Sequence, residues 1–229
     1  MKNKILLMLE LQNELNNATN GLEWTKGVTK NGKTINWRRC IYMECAEMVD
    51  SFAWKHWKAI AQEPDWKNHQ IEVVDVWHFI MSLAIEEYAK KGKNSLEEIA
   101  NAAIASKNFS KITASECLFG EMEDVLSKVE DLMRSALAKS DLDLDVLFDD
   151  FFDLVAISGL NLDSLYKLYV GKNILNQFRQ DNGYKEGTYI KVWDGKEDNV
   201  VMQLIWEENS NITPELLYSE LEKAYAALS

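Results

Sequence analysis

From Ile71 to Ile85 the chain reads IEVVDVWHFIMSLAI, apolar almost all the way round a helix, which marks a helix buried on most of its sides. Its polar members, Glu72, Asp75, His78 and Ser82, recur at helical spacing and draw one polar stripe down that surface. Buried carboxylates are expensive unless they are paired or bound to a metal. Glu72 and Asp75 stand i, i+3, and a second pair at the same spacing, Glu44 and Glu47, lies upstream in WRRCIYMECAEMVD. Four carboxylates on two facing helices form an oxygen-only cage for a hard divalent cation, of the kind that holds phosphates. The structural alternative is a core ion-pair network in which Arg38, Arg39, Lys55 or Lys58 neutralises the acids.

The fold class follows from what is scarce. Two prolines and ten glycines in 229 residues, against abundant Leu, Ala, Glu and Lys, predict helices with short connections. A formal net charge of −12 disfavours binding to a nucleic-acid backbone, which needs clustered Lys and Arg. A single nucleotide stays possible, because a bound metal supplies positive charge. Cys40, Cys45 and Cys117 show no metal-ligand spacing and read as reduced, buried thiols of a cytoplasmic protein. The start, MKNKILLMLELQNEL, reads as an amphipathic helix and not a signal peptide. No run reaches the roughly 18 apolar residues of a membrane span.

Along the chain the periodicity predicts a first helix over 3–17, with Gln12 and Asn16 i, i+4 on one face. A small hairpin or polar loop follows around Asn31-Gly32. A long second helix is expected from Trp37 to Ala61, and a third carries the apolar run through Lys91 to a stop at Gly92. Ser95-Leu96-Glu97-Glu98 is a capping box opening a fourth helix to Lys107. Two more are expected over 114–138 and 142–158, the latter an amphipathic helix with a solvated acidic face (DLDLDVLFDDFFDL). Asn161 caps the next, to Asp181, and Thr213-Pro214-Glu215 opens a C-terminal one. The expected architecture is one all-α domain over residues 1–229, a helix bundle carrying the two carboxylate pairs.

Residues 171–199, GKNILNQFRQDNGYKEGTYIKVWDGKEDN, hold the densest mixture of basic, amide and aromatic side chains in this acidic chain. Lys172, Asn176 and Arg179 share one helical face, and Tyr184, Lys185, Tyr189 and Lys191 follow in a loop punctuated by Gly183, Gly187 and Gly195. Converging Arg and Lys suit a polyphosphate, and the glycines would let the loop open and close. Alternatively the cations complement a helix C-terminus.

The spacing Glu44-x-x-Glu47, then Glu72-x-x-Asp75, matches the ExxE…ExxD signature of all-α nucleotide pyrophosphohydrolases. With LQNELN (11–16), NGLEW (20–24), WRRCIYMECAEMVDSFAWKHWK (37–58), IEVVDVWHF (71–79) and YVGKNILNQFRQDNGYKEGTY (169–189), the chain resembles the dimeric, all-α dUTPases. These blocks cover a little over a quarter of the sequence, and 95–160 adds no motif.

The resemblance implies that Glu44, Glu47, Glu72 and Asp75 bind Mg2+, with Mn2+ as a substitute, and that Glu47 also polarises the attacking water. It implies that Gln12 and Asn16 read the uracil while Trp24, Trp54 and Trp57 shape the base pocket. Lys58, Lys172, Asn176, Arg179, Tyr184, Lys185 and Lys191 would hold the phosphates, with His78 and Asn173 near the sugar. The implied reaction is hydrolysis of dUTP, and of dUDP, to dUMP in a homodimer without membrane or nucleic-acid partners. A broader, MazG-like nucleoside triphosphate pyrophosphohydrolase shares the cage and is the enzymatic alternative. A non-catalytic helical interaction protein is the alternative of another class.

Overall fold

The structure, a computed structural model, describes residues 1–58, 63–138, 142–209 and 212–228. These residues carry nine α-helices and one two-stranded hairpin, so the expected all-α class holds. They divide into two compact units, Met1–Tyr166 and Lys167–Ser229; α7 spans Leu162–Asp181.

In the first unit α3 (Trp66–Lys90) is the central element, packed against α1 (Lys2–Asn20), α2 (Trp37–Asp50), α4 (Leu96–Ala105) and α6 (Leu144–Val155). Burial on so many sides is what its composition demands. Val73, Val74, Val76, Trp77, Ile80, Met81 and Ala84 are wholly buried, each large side chain contributing roughly 1.5–3 kcal/mol of hydrophobic stabilisation. Trp77 lies flat on Phe151, ring centroids 4.7 Å apart, and edge-on to Phe148. Those phenylalanines form the apolar stripe of the acidic helix α6, while its Asp153 faces outward to Lys111 and Lys128. The amphipathic reading of that run is confirmed.

Local cap chemistry sets most helix starts. The Asp65 carboxylate accepts from Asn68 N at the head of α3, and Ser95 Oγ accepts from Glu98 N at the head of α4. Asn161 Oδ1 accepts from the backbone of Asp163 and Ser164, and Thr213 Oγ1 from Leu216 N before α9 (Pro214–Ala226). Each such cap is worth about 1 kcal/mol. The polar segment after the first helix closes as expected, with Val28 bridged to Thr34 around Gly32 at φ +76°.

Several boundaries differ from expectation. Helix α2 ends at Asp50 instead of Ala61, a residue that lies outside the described ones. Tertiary packing overrides the helical periodicity there: Phe52 is buried edge-on against Trp66 and His69, and Ser51 O accepts from Asp65 N. The helix expected over 114–138 starts late, as α5 (Met122–Leu137), and residues 114–121 are a non-helical stretch that follows a 3-10 turn, Phe109–Thr113. Phe119 in that stretch bridges to Ser158, which satisfies backbone that a helix would otherwise have used. Cys117 is exposed and Cys40 half-buried, so only Cys45 is the buried thiol expected of all three.

The second unit holds the rest of α7, the strands β1 (Val192–Trp193) and β2 (Lys196–Glu197), α8 (Asp198–Glu208) and α9. The glycine-punctuated loop is thus partly a hairpin. Val192 pairs with Glu197 and Trp193 with Lys196 around Asp194-Gly195. Both turn residues have positive φ, +48° and +79°, the left-handed backbone conformation by which a two-residue hairpin turn matches the right-handed twist of its strands. Trp193 is buried and Phe178, Tyr189 and Tyr225 pack around it.

Candidate active site

Glu44 on α2 and Glu72 and Asp75 on α3 converge: one carboxylate oxygen from each lies within 4.8 Å of the others. The two helices pack side by side, and the i, i+3 spacing on α3 turns both of its acids toward α2. Glu72 is buried at 7% exposure, and Glu44 and Asp75 are half-buried. An all-oxygen donor set of this charge suits a hard divalent cation and offers nothing to a soft one. Cys45, next to Glu44, is not among the converging donors. Burial, reinforced by the negative charge of Glu44, pushes its thiol up to about 12, so it stays protonated near neutrality. Glu47 is exposed, one turn further along α2, and is not among the three converging acids.

A buried polar network lies on the same two faces of α1 and α3. The Gln12 and Asn16 amides donate to Ser82 Oγ at 3.0 and 2.8 Å, Ser82 donates to His78 O at 2.9 Å, and His78 Nδ1 meets Gln12 Oε1. All four side chains are buried. His78, expected near the sugar, is here part of the same cluster as the two amides. Trp24 is buried behind α1, its indole N–H donating to Asn17 Oδ1 at 3.1 Å and its ring edge-on to Trp37. Trp54 and Trp57 take a different place. They stand on the exposed segment after α2 with ring centroids 5.6 Å apart, Lys55 Nζ over the Trp54 ring and His56 edge-on to Trp57. Lys58 is exposed at the end of that segment.

In the second unit Lys172, Asn176 and Arg179 share a face of α7 as predicted, and the structure supplies their partners. Lys172 Nζ donates to Asn199 Oδ1 at 2.7 Å. Arg179 forms two parallel bonds to Asp198, also reaches Asn176 Oδ1, and lies under the Tyr184 ring. Asn173 Nδ2 donates to the Tyr169 hydroxyl. Lys191 pairs with Glu197 at 3.2 Å, and Tyr184 and Lys185 are exposed. Asp198 and Asn199, which organise this cluster, were not singled out by the sequence. A signal existed: an arginine on a helix that is otherwise buried demands an acid nearby in space.

A family model described as dUTPase matches residues 4–184, well over half of the chain and inclusive of Glu44, Glu47, Glu72, Asp75, Gln12 and Asn16. The chain belongs to the all-α dimeric dUTPase family. Its activity is therefore that of a dUTP diphosphatase, acting on a nucleotide. No curated protein matches the chain. Among the described residues no helix is long and apolar enough to cross a membrane.

Proposed function

We propose that this dUTPase hydrolyses dUTP, and dUDP as well, to dUMP through a Mg2+ site formed by Glu44, Glu72 and Asp75, with Mn2+ able to substitute. The observation that carries this reading is the convergence of those three carboxylates on two packed helices. Bound there, Mg2+ would screen the phosphate oxygens and acidify water. Glu47, exposed one turn from Glu44, takes the proton from the attacking water as general base. Lys58, Lys172, Asn176, Arg179, Tyr184, Lys185 and Lys191 hold the phosphates, and the arginine and lysines among them stabilise charge on the pyrophosphate leaving group. Gln12 and Asn16 read the uracil edge, Trp24, Trp54 and Trp57 bound the base, and His78 and Asn173 serve the sugar end. The chain works as one all-α domain and as a cytoplasmic homodimer.

The test is pyrophosphate release by the purified protein from dUTP, dCTP, dTTP and dATP, each with Mg2+ and with EDTA. Release from dUTP alone, abolished by EDTA, is expected. Comparable release from all four would favour the broader pyrophosphohydrolase, and EDTA-insensitive release would remove the metal from the mechanism.

A further inference from the structure

An amide side chain turned by half a rotation exchanges its donor for its acceptor with almost no change of shape. That is a weakness in a group asked to tell uracil from cytosine, because the two bases differ by just such an exchange along their N3 and 4-position edge. A freely turning Gln or Asn would satisfy either. Discrimination by Gln12 and Asn16 therefore needs something that forbids the turn.

Ser82 has the properties required. Its hydroxyl has one proton, and that proton goes to His78 O, the carbonyl one turn back on α3, at 2.9 Å. The oxygen can then only accept, and it accepts from Gln12 Nε2 and Asn16 Nδ2 together. If either amide turned over, its carbonyl oxygen would face a buried oxygen with no proton left to offer, the kind of mismatch that is expensive away from water. The orientation propagates: Gln12 Oε1 is turned to His78 Nδ1, and Asn16 Oδ1 accepts from Asn20 Nδ2 at 3.3 Å. Each amide is thereby held with its nitrogen and its carbonyl oxygen pointing in fixed directions. Because Gln12 and Asn16 stand one turn apart on α1, a single hydroxyl on α3 sets both.

We propose that Ser82 is a specificity-determining positioning residue, which locks the Gln12 and Asn16 amides in the orientation complementary to uracil and hostile to cytosine. This rests on the reading of Gln12 and Asn16 as the uracil-facing groups, but the lock itself has a consequence independent of turnover. Since Gln12 turns an oxygen toward His78 Nδ1, that nitrogen must bear a proton.

Two measurements test it. Nitrogen-15 NMR of the wild-type protein without nucleotide, above the histidine titration range, should show His78 as the Nδ1–H tautomer, and the Nε2–H tautomer would overturn the lock. Kinetically, Ser82→Ala should reduce the preference for dUTP over dCTP by about tenfold, through the two KM values, with the Mg2+ activation midpoint in place. An unchanged preference in Ser82→Ala would also overturn it. Should Ser82→Ala fail to fold, the tautomer of the wild type decides alone. A wild type with no preference for dUTP would instead sink the proposed function, whatever the tautomer.

Discussion

Arg179 in the last turn of α7 and Asp198 at the first residue of α8 form a bidentate pair, Nε to Oδ2 and an Nη to Oδ1, each at 2.7 Å. Both side chains are buried, Asp198 completely. The Tyr189 hydroxyl adds a third bond to the same carboxylate at 2.8 Å. Burial alone would raise the Asp198 carboxyl, but the Arg179 guanidinium and the Tyr189 hydroxyl hold it below the usual carboxylate range. The same burial, with the Asp198 charge beside it, pushes the Tyr189 phenol up, so this hydroxyl remains a donor at any physiological pH. Asp198 N also donates to Lys191 O. One carboxylate thus ties α7, the segment carrying Tyr189 and Lys191, and α8 into a single unit. A phosphate that engaged Arg179 with both prongs would have to take the place of Asp198.

Removal of one partner from a buried pair strands the other charge, a loss of about 3–5 kcal/mol. Asp198→Ala should therefore lower the urea midpoint markedly. Arg179→Met combined with Asp198→Leu should recover most of that stability, since neither charge is then left in the interior. A single variant that melts like the wild type would show that the pair holds nothing together.

His69 makes stability depend on pH in a defined window. It lies between Phe52 and Trp66, with Nε2 donating to Ser158 Oγ at 2.9 Å, because Ser158 gives its own proton to Leu154 O. Its Nδ1 is buried with no hydrogen-bond partner among the described residues, so protonation would place an unpaired charge in the core. Burial lowers its pKa to about 4 from an ordinary 6.5. The unfolded chain therefore binds the extra proton first as pH falls. Stability from this group is complete above 6.5 and is lost progressively toward 4, about 3 kcal/mol in all. Chemical denaturation from pH 7 to 4 should show this slope, and His69→Phe should flatten it. An equal slope in the variant would assign the effect elsewhere.

The features legible in the sequence are those whose cause is local. Ser95, Asn161 and Thr213 cap helices because their side chains reach backbone N–H groups two or three residues on, and such bonds are readable from spacing. Glu72 and Asp75 were legible as an anomaly, acids on a helix with no wet side. The i, i+3 rule is too coarse to separate Glu44 from Glu47, because residues at that spacing differ by about 60° around the axis. Geometry turns Glu44 toward α3 and leaves Glu47 exposed. Asp198 was illegible for another reason: DGKEDN reads as a solvated turn, and the arginine that buries the acid is remote in sequence. The end of α2 was hidden likewise, since Phe52 breaks a helical pattern only through partners on α3.

Gly159 should tolerate no side chain. Its φ is +70°, and a Cβ there would meet the Phe119 ring at 2.2 Å and Gln70 Nε2 at 2.8 Å. The left-handed backbone alone costs an alanine roughly 1–2 kcal/mol. Relief of the clash would move Phe119 off the bridge it makes with Ser158. Gly159→Ala should lower the melting temperature, and Phe119→Ala in the same chain should return only the part due to the clash. Full recovery would mean that the backbone conformation is unstrained.

The last prediction separates metal binding from proton transfer, the two roles an acidic cluster blurs. If Glu44, Glu72 and Asp75 form the metal site, Asp75→Asn removes one of three converging oxygens' charge, and Mg2+ should no longer raise the melting temperature. A ligand at one hundred times its Kd stabilises the native state by about 2.7 kcal/mol, so the wild-type shift is large enough to see disappear. Glu47 stands outside that trio. As a general base it contributes to turnover and not to metal affinity, and Glu47→Gln should keep the Mg2+ shift while kcat falls by ~10²–10⁴. The two variants would thus fail in different ways, one in binding and one in chemistry. A Glu47→Gln protein that loses the Mg2+ shift would make Glu47 a fourth ligand, and one with wild-type kcat would remove it from the reaction.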